Sequence, residues 1–388
     1  MSLLGPLDLD TQSIVFSLVE TPTLLALLRT SKSNAEHALP HLLHNISLSR
    51  DPAQVVDFQR FVVAHGLAHH IRKLFIRRGA FHSKPPFRGP ASAYVDRDPA
   101  EPEVVAGALA EVLANATTLR VLCIDKFAQD LLALEPRLGL ALASCKQLTD
   151  LTLCDVNIDS LNSLSGLRGL RQLALVGCGA SNNVIWHTYL PITAESSVGT
   201  LILNSSSTLE SLSLTGFELN PLLDDPTILF PRVQTVTYSN CIAKLEDQGR
   251  AFPAVRAVHV NPMFSKTILS SLAPFWADLE SIRGPFSFLH IFQNCHTLRR
   301  LGVEYNDPLD VEPEGPAAEL LLRNLGSGNR LVSLVFCISD PATLSIVLEG
   351  ILKETPELAF LELMLTPKEP AHAARVREML VSRTDRIT

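Results

Sequence analysis

Residues 148–156 of the chain are LTDLTLCDV, and residues 170–178 are LRQLALVGC. Both segments carry leucine at their first, fourth and sixth positions. Because successive side chains of a strand point to opposite faces, the fourth and sixth positions predict a short strand with one buried face. Further copies of this apolar spacing begin at Ile71, Leu119, Leu209, Val233, Val255, Leu298, Leu331 and Leu358, with a degraded copy at Leu279 and an early one at Leu43.

The copies recur at intervals typical of a repeat protein. From Leu148 onward, successive copies start 19 to 39 residues apart. Repeats of this length form solenoids, because each one buries its apolar face only by stacking on its neighbours. The two longest gaps predict insertions near residues 82–103 and 181–207. The segments between strands predict helices over Pro102–Ala116, Asp130–Ser144, Phe264–Phe275, Pro316–Leu325 and Ala342–Lys353, with a capping helix over Pro370–Ser382.

The repeat resembles that of leucine-rich-repeat proteins over roughly residues 70–365. In that family the ninth position is usually Asn or Cys, and here it holds Cys178, Cys241 and Asn306. Other copies depart from the pattern at this position, with Phe127, Val156, Phe217 and Met263. The resemblance implies an α/β solenoid over residues 51–388, in which a curved parallel sheet carries helices on its outer side.

Solenoids of this kind bind proteins on the concave face of the sheet, and strand alternation predicts which side chains line it. Serine and threonine occupy the middle of this face, and larger or charged groups follow. Since aromatic and arginine side chains dominate binding energy, we predict target binding by His259, Arg283, Arg300, Glu304, Tyr305 and Phe360. The alternative is that these are ordinary exposed strand residues.

Residues 1–50 differ from the repeats and predict a small helical module. Capping and proline signals suggest three helices, over Asp10–Val19, from Thr21 through Leu28, and over Lys32–Leu43. The segment resembles an F-box in Leu7, Leu9, Asp10, Val15-Phe16-Ser17, Val19, Thr23–Leu27 and Arg29–Lys32. It departs from that family at Asp8, where a proline is usual, and it lacks the usual tryptophan.

The F-box resemblance implies binding to the adaptor subunit of a cullin-type SCF ubiquitin ligase. The contacts that it implies are Leu7, Leu9, Val15, Phe16, Leu24 and Leu25. The chain would then be a substrate-recognition subunit that holds an unknown target protein on its solenoid. The alternative is a protein-interaction scaffold with no ligase link, in which the same helices only cap the first repeat.

Composition excludes several other classes of function. The net charge of −7 and pI near 6.0 do not favour a nucleic-acid binder. One basic stretch, Arg72, Lys73, Arg77, Arg78, Lys84 and Arg88, is interpreted as a solvated strand edge, with a phosphate-binding patch as the alternative. No secretory signal or apolar run of membrane-spanning length occurs, and the seven cysteines form no CxxC pair. We therefore expect a cytoplasmic or nuclear protein without membrane contact.

The sequence contains no pattern that predicts catalysis. The segment HGLAHH places His65 and His69 four residues apart, a spacing that could bind zinc on a helix, but no third ligand follows. We interpret these histidines, and His37, His41 and His44, as solvated helix residues. Phosphate-cradling glycine motifs and the hydrolase Gly-x-Ser-x-Gly elbow are absent from the sequence. We predict no catalytic residue, metal or cofactor, and the enzyme hypothesis would require a deep pocket of converging polar groups.

Overall fold

The computed structural model describes residues 9–81, 100–178, 189–261, 276, 278–284, 297–303, 331–338 and 358–365. The chain divides into two compact units, unit 1 being residues 1–186 with 193–209 and unit 2 being residues 187–192 with 210–388. Both units are mixed α/β, and both are built on parallel strands. The predicted helices over residues 264–275, 316–325, 342–353 and 370–382 lie outside the described residues.

Unit 1 begins with three helices, as predicted, and their ends agree with the predictions to within one residue. The helices are α1 Leu9–Leu18, α2 Thr21–Leu28 and α3 Lys32–Leu43. Proline in its first turn favours the start of α2, and the Ser31 side chain caps α3 by accepting a hydrogen bond from the Asn34 amide at 3.1 Å. Phe16, Leu24 and Ala38 form the buried core that joins the three helices.

Five strands among the described residues of unit 1 form a parallel sheet in chain order. They are β1 Asn45–Leu48, β2 Lys73–Ile76, β3 Val121–Ile124, β4 Asp150–Val156 and β5 Gln172–Gly177. The fourth positions of the repeat stand opposite one another in a single row, Ile46, Leu74, Leu122, Leu151 and Leu173. Four of these five side chains are fully buried, so the predicted shared core is confirmed here. The early copy at Leu43 supplies β1, and the sheet therefore starts within the predicted module of residues 1–50.

The remaining helices described in unit 1 differ from the predictions at three places, the first being the unpredicted helix over Pro52–Ala64. They are α4 Pro52–Ala64, α5 Ala100–Asn115, α6 Ala128–Leu134, α7 Pro136–Ser144 and α8 Ser197–Asn204. The single helix predicted over 130–144 is wrong, because Glu135 leaves helical geometry and Pro136 starts a second helix. Part of the predicted insertion at 181–207 is α8, which buries Val198, Leu201 and Ile202; residues 82–99 and 179–188 lie outside the described residues.

Unit 2 contains a second parallel arrangement. Its strands are β6 Leu190–Pro191, β7 Ser211–Thr215, β8 Phe217–Glu218, β9 Thr235–Ser239, β10 Ala257–Asn261, β11 Ser281–Gly284, β12 Arg300–Val303, β13 Ser333–Ile338 and β14 Phe360–Leu365. Strand β6 pairs with β8, and the others run in chain order from β7 to β14. Two short helices, α9 Asn220–Leu223 and α10 Leu245–Ala251, follow β8 and β9. The fourth positions again form one row, Leu212, Val236, Val258, Ile282, Leu301, Leu334 and Leu361.

Candidate protein-binding surfaces

The predicted adaptor contacts divide between the core and the surface of the N-terminal helices. Phe16 and Leu24 are only 3% and 4% exposed, because their side chains hold α1, α2 and α3 together. Val15 is half-buried, and Leu25 is 48% exposed on α2. Leu7 lies outside the described residues, whereas Leu9 starts α1. Of the side chains described, Leu25 is thus the predicted contact most accessible to a partner.

Two apolar side chains that the sequence prediction missed are more exposed. Ile14 is 60% exposed and Leu18 is 79% exposed. They are four residues apart on α1, so they share one face of the helix. The helical period could have predicted this exposure. If Phe16 faces the core, residues 14 and 18, each two positions away, lie on the opposite side of the helix. Together with Leu25, they are exposed apolar side chains that lie outside the core of the three helices.

Three of the predicted target contacts are neighbours on the sheet of unit 2. His259 on β10 stands directly opposite Arg283 on β11, and Arg283 stands opposite Gly302 on β12. Arg300 pairs with Ser281, two residues before Arg283 on the same face. Both arginines are exposed and the histidine is half-buried. The repeat therefore brings one histidine and two arginine side chains to one face of the sheet.

The other predicted target contacts are farther along the sheet or outside the described residues. Phe360, 53% exposed, lies on β14 in the same row as Arg300, with Ser333 of β13 between them. Glu304 and Tyr305 fall outside the described residues. The opposite end of this face carries half-buried hydroxyl side chains at Ser211, Ser213, Thr215, Thr235, Thr237 and Ser239.

A charged and aromatic group occupies the corresponding exposed face in unit 1. The Arg77 Nη1 atom lies 3.0 Å from Asp125 Oδ2 and 3.3 Å from Oδ1. The guanidinium carbon also lies 5.1 Å from the centre of the Phe75 ring, within range of a cation–π contact. The hydrogen bond to Asp125 raises the pKa of Arg77. This ion pair joins residues 48 positions apart, which is why sequence analysis treated Arg77 only as part of a basic stretch.

Five of the cysteine thiols have a raised pKa. Burial, followed by the hydrogen bond to Asp125, raises the pKa of Cys123 to about 12. Burial likewise raises the pKa values of Cys145, Cys154, Cys178 and Cys241 to about 11. Because the thiolate is the nucleophile, a raised pKa lowers the reactivity of these five side chains at neutral pH. Cys241 instead donates a hydrogen bond from Sγ to the Leu214 carbonyl oxygen at 3.2 Å, which links neighbouring turns.

The HGLAHH segment does not form the helical pair of ligands that its spacing allows. Helix α4 ends at Ala64, and Gly66 turns the chain with a positive φ of 63°. Nδ1 of His65 and Nδ1 of His69 each lie 2.8 Å from a backbone carbonyl oxygen, those of Phe61 and Gly66. Within the described residues, no three His, Cys, Asp or Glu side chains are grouped so that they could hold a metal ion.

Two broader comparisons complete the description. The helices that the structure describes are too short or too polar to cross a lipid bilayer. Neither a scan of the chain against models of protein families nor a search of curated proteins finds a match.

Proposed function

We propose that the chain is a leucine-rich-repeat solenoid with an N-terminal F-box, and that it serves as the substrate-recognition subunit of a cullin-type SCF ubiquitin ligase. The observation that carries this proposal is the exposed apolar surface of Ile14, Leu18 and Leu25 on a three-helix module directly preceding β1. Contiguous exposed apolar patches on soluble proteins mark sites of contact with other proteins. The repeat leucines in register support the solenoid part of the proposal.

In this role the chain contributes positioning and no bond-making chemistry. The module docks the adaptor, and the exposed sheet faces hold an unidentified target protein near the ubiquitin-transferring subunits. Holding two reactants together makes their reaction effectively unimolecular, which accelerates transfer without a catalytic group in this chain. Protonated thiols at the described cysteines are consistent with such a role, and we propose a cytoplasmic or nuclear location.

The test is binding of the full-length protein to a purified SCF adaptor subunit, measured by calorimetry. We expect the double variant Leu18→Asp with Leu25→Asp to weaken binding more than about tenfold, because burying each leucine contributes about 1.5–3 kcal/mol. Substituting Phe16 or Leu24 would be less informative, since both belong to the core of the module.

The matched control is Leu140→Asp, which changes a leucine on α7 whose exposure of 66% lies between those of Leu25 and Leu18. This control should bind the adaptor like the unmodified protein. Unchanged binding by the Leu18 and Leu25 double variant, with normal circular dichroism, would show that the module is not an F-box of this kind.

A second candidate function is a leucine-rich-repeat scaffold with no ligase link. It is favoured by the contacts of α3 with β1 and with the short 3-10 helix Ala68–His70. The His44 carbonyl oxygen also accepts hydrogen bonds from the amides of Arg72 at 3.2 Å and Lys73 at 2.8 Å. These contacts suit a cap that shields the first repeat. In that case the adaptor does not bind, and deleting residues 1–43 lowers stability without removing a partner.

A further inference from the structure

Three side chains at alternate positions of β2 and of the residue after it point away from the core. They are Lys73, Phe75 and Arg77. We call these residues the β2 strip. Lys73 is exposed, Phe75 is half-buried, and the Arg77 side chain is 47% exposed. The residues between them, Leu74 and Ile76, are fully buried in the core. The strip is therefore a cation, an aromatic ring and a second cation, about 7 Å apart along the strand.

The β2 strip is flanked by β1 on one side and by β3 on the other. Strand β1, at the edge of this sheet in the described residues, places the short side chains Asn45 and Ser47 opposite Lys73 and Phe75. On the other side, Val121 and Cys123 of β3 stand opposite the same two residues. The amide of Arg77 donates to the Leu48 carbonyl oxygen at 2.8 Å, so the strand geometry continues to the end of the strip.

Arg77 is held in place before any partner arrives. Asp125 binds its guanidinium at 3.0 Å, and the Phe75 ring lies beneath it at 5.1 Å. Asp125 also accepts a hydrogen bond from the Cys123 thiol at 3.1 Å. A side chain fixed in this way loses little conformational freedom on binding, which favours affinity. Arginine is also one of the residue types enriched among those that dominate binding energy.

The local charge opposes that of the whole protein. Lys73 and Arg77 give the strip two cations, although the net charge of the chain is −7. Asp125 pairs with Arg77 at 3.0 Å, and Asp150 lies two strands from Lys73 with Val121 between them. Lys73 is thus the cation of the strip that forms no ion pair within the described residues, and a cation of this kind attracts acidic partners and orients them during encounter.

We propose that the β2 strip binds an extended acidic protein segment in which an apolar residue lies between two acidic ones at alternate positions. The two carboxylates meet Lys73 and Arg77, and the apolar side chain packs on Phe75. This proposal specifies the chemistry of the target segment that the solenoid would hold. That the segment belongs to a ubiquitination target rests on the proposed function. The site is also separate from the face predicted around His259, Arg283 and Arg300.

The experiment measures binding of fluorescein-labelled peptides to the full-length protein by fluorescence anisotropy. The test peptide contains glutamate-serine-leucine-serine-glutamate in a glycine-serine background, and a matched peptide has lysine in place of both glutamates. We expect the acidic peptide to bind at least about tenfold more tightly, with affinity falling as salt is raised. A third peptide with serine in place of leucine should bind more weakly than the test peptide, because it cannot use Phe75.

Charge reversal tests the assignment of residues. The double variant Lys73→Glu with Arg77→Glu should prefer the lysine peptide, and Phe75→Ala should abolish the advantage of leucine over serine. Because Arg77→Glu also breaks the ion pair with Asp125, the single variant Lys73→Glu is tested as well. Lys73 is exposed and forms no ion pair within the described residues. Its substitution should weaken binding of the acidic peptide roughly twofold to fivefold. Lys146→Glu, an exposed cation after α7, is the control and should have no effect.

Four results would overturn the proposal. The first is equal binding of the acidic and basic peptides, and the second is an affinity unchanged by Lys73→Glu. The third is binding of a ten-residue oligothymidylate at the same strip, which would assign it to nucleic acid. The fourth is the absence of binding by every peptide to the unmodified protein while the adaptor still binds. This result would reject the present inference alone, since neither Leu18 nor Leu25 takes part in it.

Discussion

At the scale of single residues, several histidines and Arg72 come together where α3 meets the first repeat. The rings of His41 and His44 are 5.1 Å apart. Burial, followed by Arg72, His41 and His70, lowers the pKa of His44 to about 4, and burial also lowers the pKa values of His41 and His70. Their neutral forms therefore stabilise the fold above the unfolded pKa near 6.5, and this contribution is lost as pH falls toward 4. We expect a smaller free energy of unfolding at pH 5 than at pH 7.5, measured by guanidinium denaturation, and a reduced difference in His44→Gln. A pH dependence that is identical in this variant would contradict the assignment.

At the scale of elements, helix α4 depends on a cap that the sequence prediction overlooked. The Asp51 side chain accepts a hydrogen bond from the Gln54 amide at 2.8 Å, and Pro52 occupies the first turn. The Gln54 side chain in turn accepts from the Ser49 amide at 2.9 Å, which ties the helix to the end of β1. Asp51→Ala should lower the free energy of unfolding by about 1 kcal/mol, because the amide loses its partner. Asp57→Ala, an exposed change within the same helix, should cost less than about 0.5 kcal/mol in the same urea titration. Equal losses would mean that the cap does not stabilise α4.

At the scale of the whole molecule, stability depends on rows of apolar side chains shared between repeats. Leu151 stands between Leu122 and Leu173, and all three are buried. Removing its side chain therefore leaves a cavity that two neighbouring repeats line. Leu151→Ala should lower the free energy of unfolding by about 2–5 kcal/mol in urea denaturation. Thr152→Ala, on the opposite face of the same strand, should change it by no more than about 0.5 kcal/mol. Comparable effects of the two substitutions would argue against a common core.

Local patterns in the amino-acid sequence were sufficient to predict several features of this protein. Leucine spacing specified which strand positions are buried, because side chains alternate along a strand and repeats stack on one another. Capping and proline signals located α1, α2 and α3 to within one residue. Strand alternation also placed His259, Arg283 and Arg300 on one face, although their role in target binding stays a prediction.

Other features depend on which surfaces pack together, and these became visible in the folded chain. An apolar helix offers several candidate faces, and packing against α2 and α3 buried Phe16 while leaving Ile14 and Leu18 exposed. Likewise, Arg77 and Asp125 are far apart in the chain and become partners only because β2 and β3 are adjacent in the sheet. The physical reason is that burial and ion pairing are properties of contacts between segments, whereas periodicity and capping are properties of a single segment.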